Sequence, residues 1–392
     1  MSQPSSSPRF SPIMPTAVRP EIVFAKGEGS WLWDESGKRY LDFIQGWAVN
    51  ALGHCHPAVV QALQTQAATL LNPSPGFYNP AMLKLAGLLT DHSGFDHVFF
   101  ASSGAEANEG AIKLARKWGT LHKGGAHRII TFESGFHGRT LATMAASGKP
   151  GWEQLFTPHI PGFIKLPFND LAAVERALDE SVVAVMLEPV QGEGGVIQAT
   201  VAFMQGLRRL THERHALLIS DEVQTGMGRC GDLFAHQGYG VQPDIMTLGK
   251  GIGGGVPLAA LLATKAVSCF APGDQGGTYS GNALTCAAGV AVLQTLLAPG
   301  FMEGVRAKGA LLRQTLEGVS ANFGLGAVRG RGLLLALDTG NRDAPAIVAA
   351  AREAGLLLNA PRPNALRFMP ALTVSAGEIR LLGSMLEAVL AR

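Results

Sequence analysis

Short apolar runs of strand length alternate with stretches of helical period through the middle of the chain. The runs His97–Ala101, Arg128–Phe132, Val182–Leu187, Leu217–Ser220 and Ile245–Leu248 predict strands, and Ala105–Trp118, Leu171–Leu178 and Ala202–His212 predict helices between them. That alternation predicts an α/β fold with a doubly wound, mostly parallel sheet. Toward the N-terminus, Ser30–Phe43 predicts a hairpin turning at Asp34–Gly37. After Ala287, helical segments lead to short strands at Gly332–Leu337 and Leu366–Met369. The expected organisation is a flexible arm (1–20), the N-terminal part of a small domain (21–50), a large ligand-binding domain (51–286) and the C-terminal part of the small α+β domain (287–392).

Each predicted strand of the large domain runs straight into polar or glycine residues: Ser-Ser-Gly-Ala, Glu-Ser-Gly-Phe-His-Gly-Arg, Glu-Pro-Val-Gln-Gly-Glu, Asp-Glu-Val-Gln and Gly-Lys-Gly. Ligands of open α/β sheets bind outside the carboxyl ends of the strands, so these clusters imply one shared site. The 49 glycines collect at the ends of apolar runs, which suits backbone that approaches a ligand closely.

Composition narrows the classes. With 392 residues, 47% hydrophobic and 16% charged, the chain can bury a large core. A formal charge of +2 gives no footprint for nucleic acid, and no uninterrupted apolar stretch is long enough to span a bilayer. Cys55, Cys230, Cys269 and Cys286 have no paired spacing, which reads as reduced thiols and a cytoplasmic location. No metal site is expected: His54-Cys55-His56 has no second ligand cluster, and His212 with His215 lacks the spacing of a zincin.

Candidate chemistry centres on Lys250 and Asp221. The lysine ends an apolar run and is followed by Gly251-Ile252-Gly253-Gly254-Gly255, so its amine stands at a sheet edge with nothing bulky around it. Asp221 ends the run before it. An amine for an aldehyde and a carboxylate for a ring nitrogen are the groups pyridoxal phosphate most needs. Each unit by which such a carboxylate raises the nitrogen's pKa is worth ~1.4 kcal/mol. Burial near a cationic ring lowers an ammonium's pKa, which makes Lys250 a competent base near neutrality. Gln224 is a candidate for the ring hydroxyl. Ser103 with Glu106 fits a capping box, and the free N–H groups of that helix start form an anion site; the segment alone does not separate that role from a well-capped helix. Phe136 could stack on a planar cofactor, and Arg139 could grip a carboxylate. Of Arg139 and His137, the arginine is the stronger functional candidate. Gly249-Lys250-Gly251 is not a Walker A loop, and no Gly-x-Gly-x-x-Gly opens a helix early in the chain, which counts against a nucleotide-dependent enzyme.

From Trp31 onward the chain resembles the class III (ornithine/acetylornithine-type) aminotransferases of pyridoxal phosphate (PLP) fold type I. The resemblance rests on Gly53-His54-Cys55-His56-Pro57, Ser103-Gly104-Ala105-Glu106-Ala107-Asn108-Glu109, Phe136-His137-Gly138-Arg139-Thr140, Glu188-Pro189-Val190-Gln191-Gly192-Glu193-Gly194, Asp221-Glu222-Val223-Gln224-Thr225-Gly226 and Leu248-Gly249-Lys250-Gly251, in that order. It implies a mostly parallel seven-stranded sheet flanked by helices. It also implies that Lys250 is the Schiff-base lysine and Asp221 the ring-nitrogen partner. Ser103, Gly104 and Ala105 would then meet the phosphate, Phe136 one ring face and Val223 the other. Thr278 resembles the residue that reaches the phosphate from the neighbouring subunit of a homodimer. Arg367 resembles the α-carboxylate arginine and Glu193 the acid that pairs with it, a switch that lets one pocket serve two substrates in turn. Arg139 would take the remote carboxylate.

Chain length and Ala48-Val49-Asn50-Ala51-Leu52-Gly53-His54 resemble acetylornithine aminotransferases most. These move the δ-amine of N2-acetyl-L-ornithine to 2-oxoglutarate. Two features depart from that pattern: Gly277 stands where the family usually has a serine near the acylated substrate, and Pro73-Ser74-Pro75-Gly76-Phe77-Tyr78-Asn79 is similar to ornithine aminotransferases as well. Trp47 lies where subfamilies differ in substrate contacts. Ornithine, succinylornithine and 4-aminobutyrate stay open as substrates, and a PLP-binding protein without turnover is the rival from another class.

Overall fold

The structure, a computed structural model, describes Phe10 and residues 12–392. Half of the expected arm, residues 1–9 and 11, lies outside the described residues. The strands in chain order are β1 Phe24–Glu28, β2 Trp31–Asp34, β3 Arg39–Asp42, β4 His97–Ala101, β5 Arg128–Phe132, β6 Phe163–Leu166, β7 Val182–Leu187, β8 Val190–Gln191, β9 Ile197–Gln198, β10 Leu217–Asp221, β11 Ile245–Leu248, β12 Ala259–Ala263, β13 Val328–Arg331, β14 Leu334–Asp338, β15 Leu356–Leu357, β16 Asn359–Arg362 and β17 Ala365–Phe368.

A seven-stranded sheet of order β4-β12-β11-β10-β7-β5-β6 dominates. Its strands run parallel except β12, which is antiparallel to both β11 and β4. Strand β7, Val-Val-Ala-Val-Met-Leu, is buried at every position, as a strand covered on both faces must be. Ala184 and Met186 pack with Ala111, Ile112 and Ala115 of the helix Gly104–His122. Val185 and Leu187 pack with Phe203, Leu207 and Leu210 of the helix Val201–Glu213 on the other face. Within this sheet, β6 and β12 are the strands without a sequence expectation. Ala259-Ala260-Leu261-Leu262-Ala263 lacks the β-branched residues that mark a strand; its burial between β4 and β11 overrides that weak preference.

The N-terminal strands and a strand from the C-terminal part share one small sheet. β2 and β3 form the expected hairpin, β1 extends it to a meander, and β15 adds to it in parallel, with Leu356 opposite Leu41. A second small sheet has the order β13-β14-β17-β16. Arg229, buried in the loop after β10, donates from Nη1 to the carbonyls of Leu333 and Pro370. That ties the loop behind Asp221 to the strand pair β14–β17.

Close approach of helix and sheet fixes one glycine. A Cβ at Gly119 would overlap the Ala126 carbonyl oxygen and press on Val183 Cγ2. Gly119→Ala is therefore expected to destabilise the fold by about 1–3 kcal/mol through overpacking, read as a lower melting temperature. An unchanged melting temperature would mean that the helix does not sit against β7 this tightly.

Candidate active site

The carboxyl ends of β4, β5, β7, β10 and β11 lie along one edge of the sheet, and the polar clusters after them converge there. Asp221, at the end of β10, is 3% exposed and fully engaged. Asn108 Nδ2 donates to its Oδ2 at 2.8 Å, and His137 Nδ1 donates to the same oxygen at 2.7 Å. The Val223 N–H donates to Oδ1 at 3.1 Å. Asn108 is itself saturated: its Nδ2 also reaches the His137 carbonyl at 2.7 Å, and its Oδ1 accepts from Thr247 Oγ1 at 2.7 Å. Burial alone would depress the basicity of His137. The hydrogen bond to Asp221 and the charges of Asp221 and Glu188 outweigh it and hold the imidazolium above its ordinary range.

Glu188 follows β7 and is buried. Its Oε2 accepts from the Phe136 N–H at 2.8 Å. Burial, with the Asp221 charge adding to it, pushes this carboxyl up to about 7 against the pull of His137.

Lys250 follows β11 with φ +47, in the left-handed region that lysine rarely adopts. Its amine makes no hydrogen bond to any described residue. Burial favours its neutral form, and Arg367 adds repulsion; Glu193, Glu188 and Asp221 oppose them, and the net shift is downward. Beside it, Ser103 caps the helix Gly104–His122 in the expected box with Glu106: the Ser103 N–H donates to Glu106 Oε2 at 2.8 Å and the Glu106 N–H to Ser103 Oγ at 3.3 Å. The N–H groups of Gly104 and Ala105 donate to no described residue, so an anion-binding helix start is open. Gly104 has no room for a side chain, because a Cβ there would meet Val223 Cγ1 at 2.6 Å. Val223 also crowds Gly249, where a Cβ would lie 3.0 Å from the same methyl. Three strand-end loops thus meet at one valine.

Arg367, on β17, has a side chain with no exposure. Its Nη1 donates to Glu193 Oε1 at 2.7 Å and to Gln224 Oε1 at 3.3 Å. Its Nε and Nη2 donate to Asn359 Oδ1 at 3.0 and 2.7 Å. Burial would raise the Glu193 carboxyl, yet the charges of Arg367 and Lys250 and the hydrogen bonds from Arg367 and Gln224 hold it below its ordinary range. Gln224 and Glu193 thus share the Arg367 Nη1 donor, and a Cβ at Gly192 would overlap Gln224 Oε1. Arg139 is exposed, with its guanidinium carbon 5.2 Å from the Trp152 ring centre and 5.9 Å from that of Phe136. It makes no hydrogen bond or ion pair with a described residue. Phe136 meets Trp152 edge-on at 5.7 Å.

Lys250, Asp221, Ser103, Gly104, Ala105, Phe136, Val223, Gln224, Glu193 and Arg367 all belong to this sheet edge and its neighbouring strand. Gly277 and Thr278 occupy an exposed turn, where the Thr278 carbonyl accepts from Asn72 Nδ2 at 3.5 Å and no hydrogen bond joins either residue to the cluster. Sequence reasoning passed over Asn108, Glu188 and Asn359, and it ranked His137 below Arg139. For Asn108 a signal existed: it is the one amide on the otherwise small and apolar buried face Ala107, Ala111, Ile112, Ala115. His54, set aside as structural, binds Asp42 Oδ2 at 2.8 Å.

The model of the class-III aminotransferase family matches residues 13–390. The chain belongs to that family, and its architecture is fold type I. A relative from Ralstonia nicotianae named acetylornithine aminotransferase is 61% identical over 379 residues, 95% of each chain. A solved N-acetylornithine aminotransferase from Stenotrophomonas maltophilia matches with TM-score 0.84 at 37% identity, over 95% of this chain and 96% of that one. A solved ornithine aminotransferase from Toxoplasma gondii, with partial occupancy of PLP at its active site, matches with TM-score 0.92 at 32% identity, over 97% and 93%.

Burial, with Arg367 adding to it, depresses the Lys250 ammonium. In the cofactor-free protein, the pH profile of Lys250 labelling by an amine-directed reagent is expected to show a midpoint below the ordinary lysine value. Mass spectrometry of the digest over a pH series checks this. A Lys250 midpoint at the ordinary value would contradict the assignment.

Proposed function

We propose that the protein transfers the δ-amine of N2-acetyl-L-ornithine to 2-oxoglutarate with pyridoxal 5′-phosphate as cofactor. The products are N-acetyl-L-glutamate 5-semialdehyde and L-glutamate, a step of arginine biosynthesis. The observation that carries the reading is the pair of differently prepared cations: Arg367, acting on Lys250 and held against Glu193, and Arg139, left without an ion pair in the loop after β5.

The residues present fit the cofactor. A lysine amine of lowered basicity, a saturated buried carboxylate and two unpaired N–H groups at a helix start are the donor set it requires. When bound, it supplies an aldehyde that condenses with amines and a ring that absorbs the electron pair left at the substrate carbon. Lys250 Nζ holds and returns the proton that the substrate carbon gives up. Asp221, fixed by Asn108, His137 and the Val223 N–H, presents a carboxylate that holds a proton on the ring nitrogen. Gly104 and Ala105 bind the phosphate, and Phe136 and Val223 confine the ring. Gln224, assigned to the ring hydroxyl on sequence alone, accepts from Arg367 through its oxygen, which leaves its Nε2 as the donor to that hydroxyl.

Substrate exchange follows from the two arginines. Arg139 takes the carboxylate of the acylated end, and Glu193 neutralises Arg367 while the unacylated amine end lies beside it. L-Glutamate instead brings a carboxylate to each arginine, and its α-carboxylate replaces Glu193. Ornithine carries a free ammonium where the acyl group would be, which Arg139 disfavours by like charge; the name of the relative at 61% identity, acetylornithine aminotransferase, supports the acylated substrate as well. Thr278 completes the phosphate site of a second copy in a homodimer, with Gly277 beside the acyl group. The small domain contributed by 21–50 and 287–392 and the large domain of 51–286 would frame the substrate between them. Four free cysteines suit a reducing, cytoplasmic setting.

The visible spectrum of the cofactor-loaded protein, titrated with each amine without keto acid, tests the reading. N2-acetyl-L-ornithine is expected to bleach the bound cofactor's absorption at lower concentration than L-ornithine or 4-aminobutyrate. Preference for either of the latter would overturn the substrate assignment, and no cofactor absorption at all would overturn the chemistry.

Glu193→Gln provides a second check. Without its charge, Arg367 is left open to any carboxylate, so the half-saturating L-glutamate concentration is expected to fall and that of N2-acetyl-L-ornithine to rise, each by roughly ten-fold. Equal shifts for both substrates would remove Glu193 from the switch.

A further inference from the structure

Asn359 stands directly opposite Arg367 in the antiparallel β16–β17 pair, and the register shifts between Asn359 and Arg362. An irregularity of this kind beside a site re-aims a side chain. Here Asn359 Oδ1 accepts from both Nε and Nη2 of Arg367, which together make one edge of the guanidinium. Glu193 and Gln224 take Nη1, on the other side. The two acceptors differ in freedom as well as charge. Arg367 has no exposure, whereas the Glu193 side chain is 34% exposed, so the glutamate can swing out and the arginine cannot follow it.

We propose that Asn359 is a positioning residue that lets Arg367 exchange Glu193 for a substrate carboxylate; the inference rests on the transamination reading above. A guanidinium grips a carboxylate through a planar fork, so the fork must keep its aim while its partner changes. Asn359 supplies that aim through two hydrogen bonds and adds no charge. With an aspartate there, Arg367 would carry a permanent counterion, and an incoming carboxylate would meet a neutral pair plus the repulsion of a second anion. With alanine there, the fork would lose its lateral support at the moment Glu193 departs. Either change strikes substrates that bring a carboxylate to Arg367. Neither strikes one whose only carboxylate lies at the far end with Arg139.

The test compares Asn359→Asp and Asn359→Ala with the wild type as cofactor-loaded enzymes of matched melting temperature. Single-turnover kinetics are measured separately with L-glutamate and N2-acetyl-L-ornithine. Calorimetric binding of glutarate, an unreactive dicarboxylate, gives a readout apart from turnover. For Asn359→Asp, kcat/KM with L-glutamate is expected to fall about ten-fold, mostly in KM, with a matching rise in the glutarate Kd. Asn359→Ala is expected to move the same way by less, and N2-acetyl-L-ornithine to change by under about two-fold in both. The proposal is overturned if the glutarate Kd stays at the wild-type value in both variants. A parallel loss with both amines, or a wild type that fails to bind glutarate, overturns it equally. A wild type that binds glutarate and turns over L-glutamate but ignores N2-acetyl-L-ornithine would defeat the substrate assignment alone, and the glutarate comparison would still decide the role of Asn359.

Discussion

The buried carboxylate of Asp221 is the constraint around which the catalytic edge is built. An anion at 3% exposure is tolerated only when its oxygens are met by donors. The donors come from separate parts of the chain: Asn108 from the helix after β4, His137 from the loop after β5, and the Val223 N–H from the turn that follows Asp221. Thr247, opposite Asp221 in the β10–β11 register, braces Asn108 from β11. One carboxylate therefore locks the ends of several strands into a common register. Lys250 follows Thr247 by three residues, so the amine inherits its place from the same network.

The charges around Lys250 are arranged by how freely each can move. Asp221 and His137 form a fixed, buried pair, and Glu188 lies within reach of their charges, with burial pushing its carboxyl up to about 7. Arg367 and Glu193 form a second pair in which only the arginine is immobilised. Arg139 stands apart on the aromatic faces of Trp152 and Phe136. This grading separates the part of the site that handles protons from the part that chooses carboxylates. A fully buried network would be rigid but unable to change partners, and a fully exposed one would let solvent set the basicity of the lysine.

Most of the sheet edge was legible in the sequence because each element announces itself locally. An apolar run that stops at Asp221 or Lys250 carries its own boundary, and Ser103 with Glu106 spells out a helix start. What was not legible depends on burial. His137 reads as a structural histidine until the fold sets it against Asp221, and Glu188 gives no signal of its own until the fold buries it. Gln224 is a candidate for a cofactor contact from its loop, but the bond its oxygen accepts from Arg367, a residue 143 positions away, is set by the fold. Asn359 could not have been singled out, since only the pairing of β16 with β17 sets it opposite that arginine. Strand β12 was missed for a simpler reason: alanine and leucine prefer helices, and its placement between β4 and β11 decides the matter.

The left-handed backbone at Lys250 has a consequence for how this chain can change over time. A non-glycine residue at φ +47 stores on the order of 1–3 kcal/mol of strain. Glycine at the same place would relax it, and the fold would gain durability by discarding its amine. Position 250 is thus a point where persistence of the folded state and turnover pull in opposite directions. Lineages freed from the need for chemistry would drift toward the sturdier, inert form, and those that retain the lysine do so against the slope of folding stability.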